Sequence, residues 1–270
     1  MTTEDAPSVE RDRPHRHGPR SEMTVGHVDR EDRRRTMKTS ERVALDIVRD
    51  IVAQGLRTGA HLPLEALMVQ QYGVSRASLR EALRLLEVQG LIWLKPGPGG
   101  GPVVGTVEPA NLARTASLYF HLGAATYGHL METQVLLEPL CAQRAAQHPD
   151  RREVMAPYLD EMVLTEDTSE REYRGATIGF HSAVWKLAAN PVLTLLSQAV
   201  THIVSDHVVA TMDPVELRDE ILEEHAVLAR TIASGRVDKA ARLMAEHFQA
   251  QHDYYAEHWP ARMAELIEWR

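Results

Sequence analysis

Three observations predict a mainly α chain built in two parts. Two short amphipathic helices meet across a glycine turn at Gly73; two short apolar segments then flank a Gly/Pro loop; helical periodicity runs on from Pro109 with no strand signal. The first two make an N-terminal winged helix-turn-helix with a small two-stranded wing, and the third a C-terminal antiparallel bundle of about seven helices. The divisions read from these shifts are a disordered N-terminal arm over 1–36, the winged unit over 37–107, the bundle over 108–258 and a tail over 259–270.

Composition narrows the class. The chain has 270 residues, 44% hydrophobic and 25% charged, which excludes disorder throughout. Its single cysteine, Cys141, excludes an internal disulfide and a thiolate metal site, and fits a reducing cytoplasm. The N-terminal region lacks the apolar core of a signal peptide, and no window approaches the roughly 20 apolar residues of a membrane span. A cytoplasmic chain with no membrane partner is expected. The net charge of -8 is unevenly spread: residues 37–107 hold 8 Lys/Arg against 6 Asp/Glu, and residues 108–270 hold 14 against 24. Only the winged unit suits a polyanion.

In chain order, residues 1–36 are rich in charge and proline without apolar periodicity, which reads as a solvated arm; Arg33, Arg34 and Arg35 could add phosphate contacts. Ala44, Ile47, Val48, Ile51 and Val52 form one stripe of a helix that starts near Thr39 and ends at Gly55. A Gly/Pro turn, 57–63, leads to a second helix from Leu64 to Tyr72, closed by Gly73. Ser75 caps the third helix, which buries Leu79, Ala82, Leu83 and Leu86. Arg76, Arg80 and Arg84 are each four residues apart, so they advance only about 40° per step and point broadly the same way. Arg84 is expected to pair with Glu81 or Glu87. Leu91–Lys95 and Pro102–Val107 then form the wing across Pro96 and Gly97.

Gly59, Leu62-Pro63, Gly73-Val74-Ser75-Arg76, Leu79-Arg80-Glu81-Ala82-Leu83, Gly90-Leu91-Ile92 and the glycine wing resemble the winged helix-turn-helix of GntR-type transcriptional regulators. The resemblance implies contacts to double-stranded operator DNA from Arg76 and Arg80, supported by Ser75 and Ser78, with Pro96 and Gly97 at the wing tip. Ala66 stands where the fatty-acid-responsive relatives carry arginine, so part of the operator preference should differ.

The bundle helices are read over 109–121, 126–148, 150–165, 169–189, 191–211, 214–234 and 236–257. Met131, Met155, Met162, Met212 and Met244 are core filler at helical spacing. Leu137-Glu138-Pro139, Phe180-His181, Asn190-Pro191, Glu224-His225 and Ala245-Glu246-His247-Phe248 resemble the all-helical FCD effector domain of the FadR-like branch of the same family. That resemblance implies a divalent metal, zinc or similar, on His181, His225 and His247, and a small-molecule effector beside it. Three imidazoles from separate helices suit a borderline metal; without the resemblance, three of 14 histidines read first as hydrogen-bonded core residues.

Two departures bear on the pocket. Thr177 replaces the family's acidic fourth ligand, and Gln134 replaces its early-helix arginine. Both remove charge. The site is then either a tris-histidine centre with one more open position or a more neutral pocket for a larger or more apolar effector. His202 and His207 lie either near the same cavity or on the helix surface. The implied function is a ligand-responsive regulator, a repressor by default, binding a palindromic operator as a homodimer. A metal-dependent hydrolytic enzyme with Glu224 as base is the alternative, but the chain has no His-Glu-x-x-His, phosphate loop or nucleophile elbow.

Overall fold

The computed structural model describes residues 37–97, 99–160, 165, 168–212 and 214–269. The arm expected over 1–36, with Arg33 to Arg35, and the core role expected for Met162 lie outside the described residues.

Helix α1 spans Thr39–Ala53 and buries Val43, Ala44 and Ile47. Val52, expected on this stripe, is 74% exposed: five residues beyond Ile47 places it about 140° round the helix, away from the core. Helix α2, Glu65–Tyr72, ends on Gly73 in the left-handed region, φ 62°, a conformation that costs glycine nothing. Tyr72 Oη and Gln71 Nε2 both donate to Asp50 on α1, at 2.7 and 2.9 Å, fixing α2 against it. Helix α3, Arg76–Val88, is capped by Ser75 Oγ accepting from Ser78 N at 3.1 Å. Its four expected apolar residues, Leu79, Ala82, Leu83 and Leu86, are all buried, against α1, Met68 and the wing.

The wing pairs β1, Ile92–Lys95, with β2, Gly101–Val104, antiparallel in the register Ile92 to Val104 and Lys95 to Gly101. β2 is shorter than the expected Pro102–Val107, although Gly105 N still donates to its register partner Leu91 O at 2.9 Å.

The bundle comprises α4 Pro109–Leu122, α5 Tyr127–Gln147, α6 Arg151–Met155, α7 Glu170–Ala188, α8 Pro191–Val204, α9 Arg218–Ala233, α10 Val237–His258 and α11 Pro260–Ala264. Three spans differ from expectation. The helix expected over 150–165 stops at Met155 and tightens to a 3-10 turn over Ala156–Tyr158, where Pro157 supplies no N–H. α8 continues as a π-helical turn, Ser205–Val209. The expected tail over 259–270 packs into the bundle through residue 267: Met263 and Ile267 are buried, and Ile267 N donates to Ala125 O at 3.0 Å. Two apolar residues at the chain end fill the lower core, which polar flanks had masked.

One core joins Cys141, Ala142, Met155, Phe180, Val184, Leu228 and Met244; the other joins Tyr127, Met131, Val200, Ile203, Tyr255 and Ile267. The run Pro191–Val209 is 19 residues with mean hydropathy 1.2, the length and composition of a membrane span, contrary to expectation. Its Ala199, Val200, Ile203, Val204 and Val208 belong to that second core, so its hydropathy is that of a core helix.

Ala189 ends α7 at φ 50°, with Arg144 Nε donating to the adjoining Ala188 carbonyl at 2.6 Å. Left-handed backbone costs a non-glycine residue about 1–2 kcal/mol, and glycine gives back part of this through the unfolded chain, so Ala189→Gly is expected to stabilise by about 0.5 kcal/mol. Thermal denaturation should show a rise of roughly 1–2 °C.

Candidate functional site

Arg76 opens α3 with its side chain exposed. Ser75 Oγ and Ser78 Oγ lie 3.0 Å apart at the same end. Arg80 follows on the same row but is not free: its Nε donates to Glu65 Oε2 at 2.9 Å. Arg84 makes no ion pair among the described residues, contrary to expectation; Glu87 accepts instead from Leu94 N at 3.3 Å. The difference has a tertiary cause, since the crossing of α2 and α3 brings Glu65 to Arg80, which spacing within one helix cannot reveal. Pro96 and Gly97 stand at the wing tip, in a turn closed by Gly100 N donating to Gly97 O at 2.9 Å. Both partners of the Arg80–Glu65 pair are exposed, and such a pair contributes about 0–1 kcal/mol, little enough to be exchanged for a phosphate.

The bundle brings the three predicted histidines together. His181 on α7, His225 on α9 and His247 on α10 are all buried, and each offers a ring nitrogen within 4.8 Å of the others. His225 Nε2 and His247 Nε2 are 3.3 Å apart. Two nitrogens on one tetrahedral ion at 2.0–2.1 Å would be about 3.4 Å apart, so this pair already has chelating separation. Helical packing fixes the rings: Phe180 stacks on His225 at 4.4 Å between centroids, and Trp185 stacks on His181 at 6.0 Å.

Proton positions follow from the partners. His247 Nδ1 lies 2.6 Å from Glu224 Oε2; a carboxylate only accepts, so Nδ1 carries the proton and Nε2 presents its lone pair. This is the carboxylate–histidine arrangement that orients metal ligands. Gln251 Nε2, one turn beyond His247 on α10, donates to that lone pair at 2.8 Å. Burial, reinforced by the neighbouring His247, pushes the His181 pKa down to about 3, and burial with His181 and His247 holds His225 well below the ordinary range. The His181 and His225 rings are therefore neutral, the form that binds metal. His181 Nδ1 and His225 Nδ1 are buried without a hydrogen-bond partner, so two of the three rings lack the outer acceptor that His247 has. Neutral rings, chelating separation and an orienting carboxylate fit a divalent metal.

Beside the histidines is a cavity lined by Gln134, Thr177, His181, Thr201, Ser205 and Gln251, with Val204, Val209, Ile221 and Phe248 as its apolar side. Gln134 and Thr177 are thus where expected. Gln134 Nε2 donates to Thr201 Oγ1 at 3.0 Å, and Thr177 Oγ1 donates to Tyr173 O, one turn back, at 3.1 Å. His202 and His207 are not there. They line a separate cavity against α4, His202 pairing with Asp206 at 3.4 Å and His207 meeting Tyr127 Oη at 3.1 Å. At about 100° per residue, Thr201 and Ser205 share one side of α8 while His202 and Asp206 share another. Gln251 and the orienting role of Glu224 were missed from sequence; the i+4 spacing of Gln251 from His247 was the available signal for the first. Arg174 also reaches the cavity, its Nε held by Glu170 at 2.9 Å.

Behind Trp185 is a buried acid that the motif reading left without a role. Glu138 is 0% exposed and accepts from Trp185 Nε1 at 3.0 and 2.9 Å. Burial pushes its pKa up to about 7, against the lowering effect of the Trp185 and Ser197 hydrogen bonds. The folded state therefore holds this proton more tightly than the unfolded chain, and stability contributed by Glu138 is lost as pH rises from the ordinary carboxylate range through about 7. Glu138→Gln is expected to gain on wild type by about 3 kcal/mol more at pH 8 than at pH 4, read by urea denaturation at both values.

This geometry defines a class: a winged-helix DNA-binding protein joined to a helical domain with a histidine-lined ligand cavity. Residues 39–100 match the family described as "Bacterial regulatory proteins, gntR family", and residues 129–250 match the "FCD domain". The chain is 27% identical over 172 residues to the "Galactonate operon transcriptional repressor" of Escherichia coli K12, covering 62% of this chain and 74% of that one. It is 25% identical over 214 residues to the "Uxu operon regulator" of Haemophilus influenzae, covering 75% and 77%. Among solved structures, "Streptococcus agalactiae GntR" superposes with TM-score 0.55 at 18% identity, covering 80% of this chain and 99% of that one, a likeness of fold. The chain belongs to the GntR family of transcriptional regulators, in the FadR-like branch that carries an FCD domain. It is a ligand-responsive transcriptional regulator.

Proposed function

We propose that the protein is a cytoplasmic repressor that binds a palindromic operator as a homodimer and is released by a small acid seated in the FCD cavity. The exposed N-terminal end of α3, with Arg76 unpaired by any acid among the described residues and Ser75 and Ser78 beside it, carries the DNA-reading part. Arg76 and Arg80 act on base edges or phosphates, with Pro96 and Gly97 of the wing approaching the adjacent groove. One such module makes few base contacts, and two-fold symmetry doubles them. Leu136, Leu140 and Ile178 are exposed on α5 and α7 and offer apolar surface for the second copy.

His181, His225 and His247 hold a divalent metal, and when bound it supplies open positions for an effector oxygen. Glu224 orients His247. Gln134, Thr177, Thr201, Ser205 and Gln251 give the cavity neutral hydrogen-bonding groups, Arg174 adds one cation, and its other wall is apolar. This suits an acid with hydroxyl groups or an apolar extension rather than a multiply charged one, in line with the operon named for the Escherichia coli relative, galactonate.

Nuclease footprinting of the DNA upstream of the gene tests the reading. Two protected half-sites related by a dyad are expected; protection of a single asymmetric segment, or none above random DNA, refutes it.

A further inference from the structure

Helix α8 is a wall shared by the histidine cavity and the junction between the domains. Thr201, Val204 and Ser205 line the histidine cavity. His202, Ile203 and Asp206 line the cavity against α4. Leu195, earlier on the same helix, lines a recess together with Gly90 and Leu91 at the end of the DNA-binding unit. The helix ends in a π turn, with Ala210 N donating to Ser205 O at 2.9 Å, a geometry frequent at functional sites.

Across the junction, α4 grips the end of α3 in two ways. Arg114 Nη2 donates to the carbonyl of Val88, the last residue of α3, at 2.6 Å. The final carbonyls of a helix lack internal partners and carry the negative end of its dipole, so a guanidinium is favoured there. Asn111 packs on Gly90 just beyond. Gly90 has φ 70°, and a Cβ at that position would stand 2.0 Å from Asn111 Nδ2, so the two segments are keyed together. Asn111 and Arg114 also line the cavity whose opposite wall is α8.

We propose that Arg114 and Asn111 are positioning residues, a latch that sets the recognition helix α3 against the bundle, and that α8 links this latch to the histidine cavity. The link to the cavity rests on the reading of that cavity as the effector and metal site; the latch itself does not. Movement of α8 on occupation of the cavity shifts α4, and α4 carries the C-terminal end of α3 with it.

Hydrogen exchange of the full chain, followed by mass spectrometry, tests this with zinc alone as the probe. In Arg114→Ala and Asn111→Ala the amides over 86–91 are expected to exchange roughly tenfold faster while those of α10 are unchanged. In wild type, zinc slows exchange over 86–91; in Arg114→Ala that response is lost although the zinc Kd, by calorimetry, stays within about twofold. Arg114→Lys keeps a cation at the helix end and should restore part of both effects, and it serves if the alanine variant fails to fold. Unchanged exchange over 86–91 in both alanine variants overturns the latch, and a zinc response surviving in Arg114→Ala overturns the link. If wild type binds no zinc, the metal reading and the link fall together, and the latch stands or falls on the zinc-free exchange alone.

Discussion

Arg76→Ala is expected to weaken operator binding by about 1–3 kcal/mol per subunit, the loss of one guanidinium contact to a base edge, so a symmetric dimer loses roughly thirtyfold to over ten-thousandfold. Arg80→Ala should cost less. The Arg80 guanidinium is already held by Glu65 at 2.9 Å, so its transfer to DNA gives up one partner to gain another. Glu65→Ala reverses the sign: it frees Arg80 and removes a carboxylate from the DNA-facing surface, and operator affinity should rise by up to about fivefold, most visibly at low salt. Fluorescence anisotropy with operator fragments across a salt series separates these effects. A phosphate contact lowers the salt slope, whereas a base contact lowers sequence preference.

Zinc is expected to raise the unfolding temperature by about 8–15 °C at a thousandfold excess over Kd, since mass action then adds about 4 kcal/mol. His225→Ala should abolish the shift, because it removes one of the two ring nitrogens that lie 3.3 Å apart, already at chelating separation. Glu224→Gln should retain it at about 10–100-fold weaker affinity, as loss of a carboxylate behind a ligating ring typically does. The pH dependence has a definite sign. His181 and His225 are neutral in the folded protein and protonate first in the unfolded chain, so metal-free stability falls as pH drops below the ordinary histidine range. Metal requires the same neutral rings, so its stabilisation fades in the same direction. Equal melting temperatures with zinc and with chelator at pH 7.5 would refute the metal assignment.

Local signals were legible in the sequence and tertiary ones were not. The α3 stripe of Leu79, Ala82, Leu83 and Leu86, the Ser75 cap and the Gly73 turn depend on spacing and single-residue propensities, and each is found where the residues place it. The three histidines come together because each lies on the inner face of a long amphipathic helix. What failed needed knowledge of which helices cross. Spacing along α3 offers Arg84 two acids, but the crossing of α2 gives an acid to Arg80 instead. His202 lies one residue from Thr201, yet that single step, about 100°, moves it from the histidine cavity to the junction cavity. Residues 259–267 read as a tail because polar residues dilute Met263 and Ile267, whose burial is decided by a core assembled from elsewhere in the chain. Glu138 stood in a quoted motif with no role, since the proximity of Trp185, 47 residues away, is a product of folding.

The central claim is that α3 reads a specific DNA sequence through Arg76. Competition binding tests it most directly: wild type and Arg76→Ala titrated onto labelled upstream DNA at one physiological salt concentration, with unlabelled operator and unlabelled random DNA as competitors. Wild type should be displaced by operator at concentrations at least a thousandfold below random DNA, and Arg76→Ala should lose most of that ratio while keeping its weak, salt-sensitive affinity for random DNA. A wild-type protein displaced equally by both competitors, or an Arg76→Ala variant with an undiminished ratio, would contradict the account.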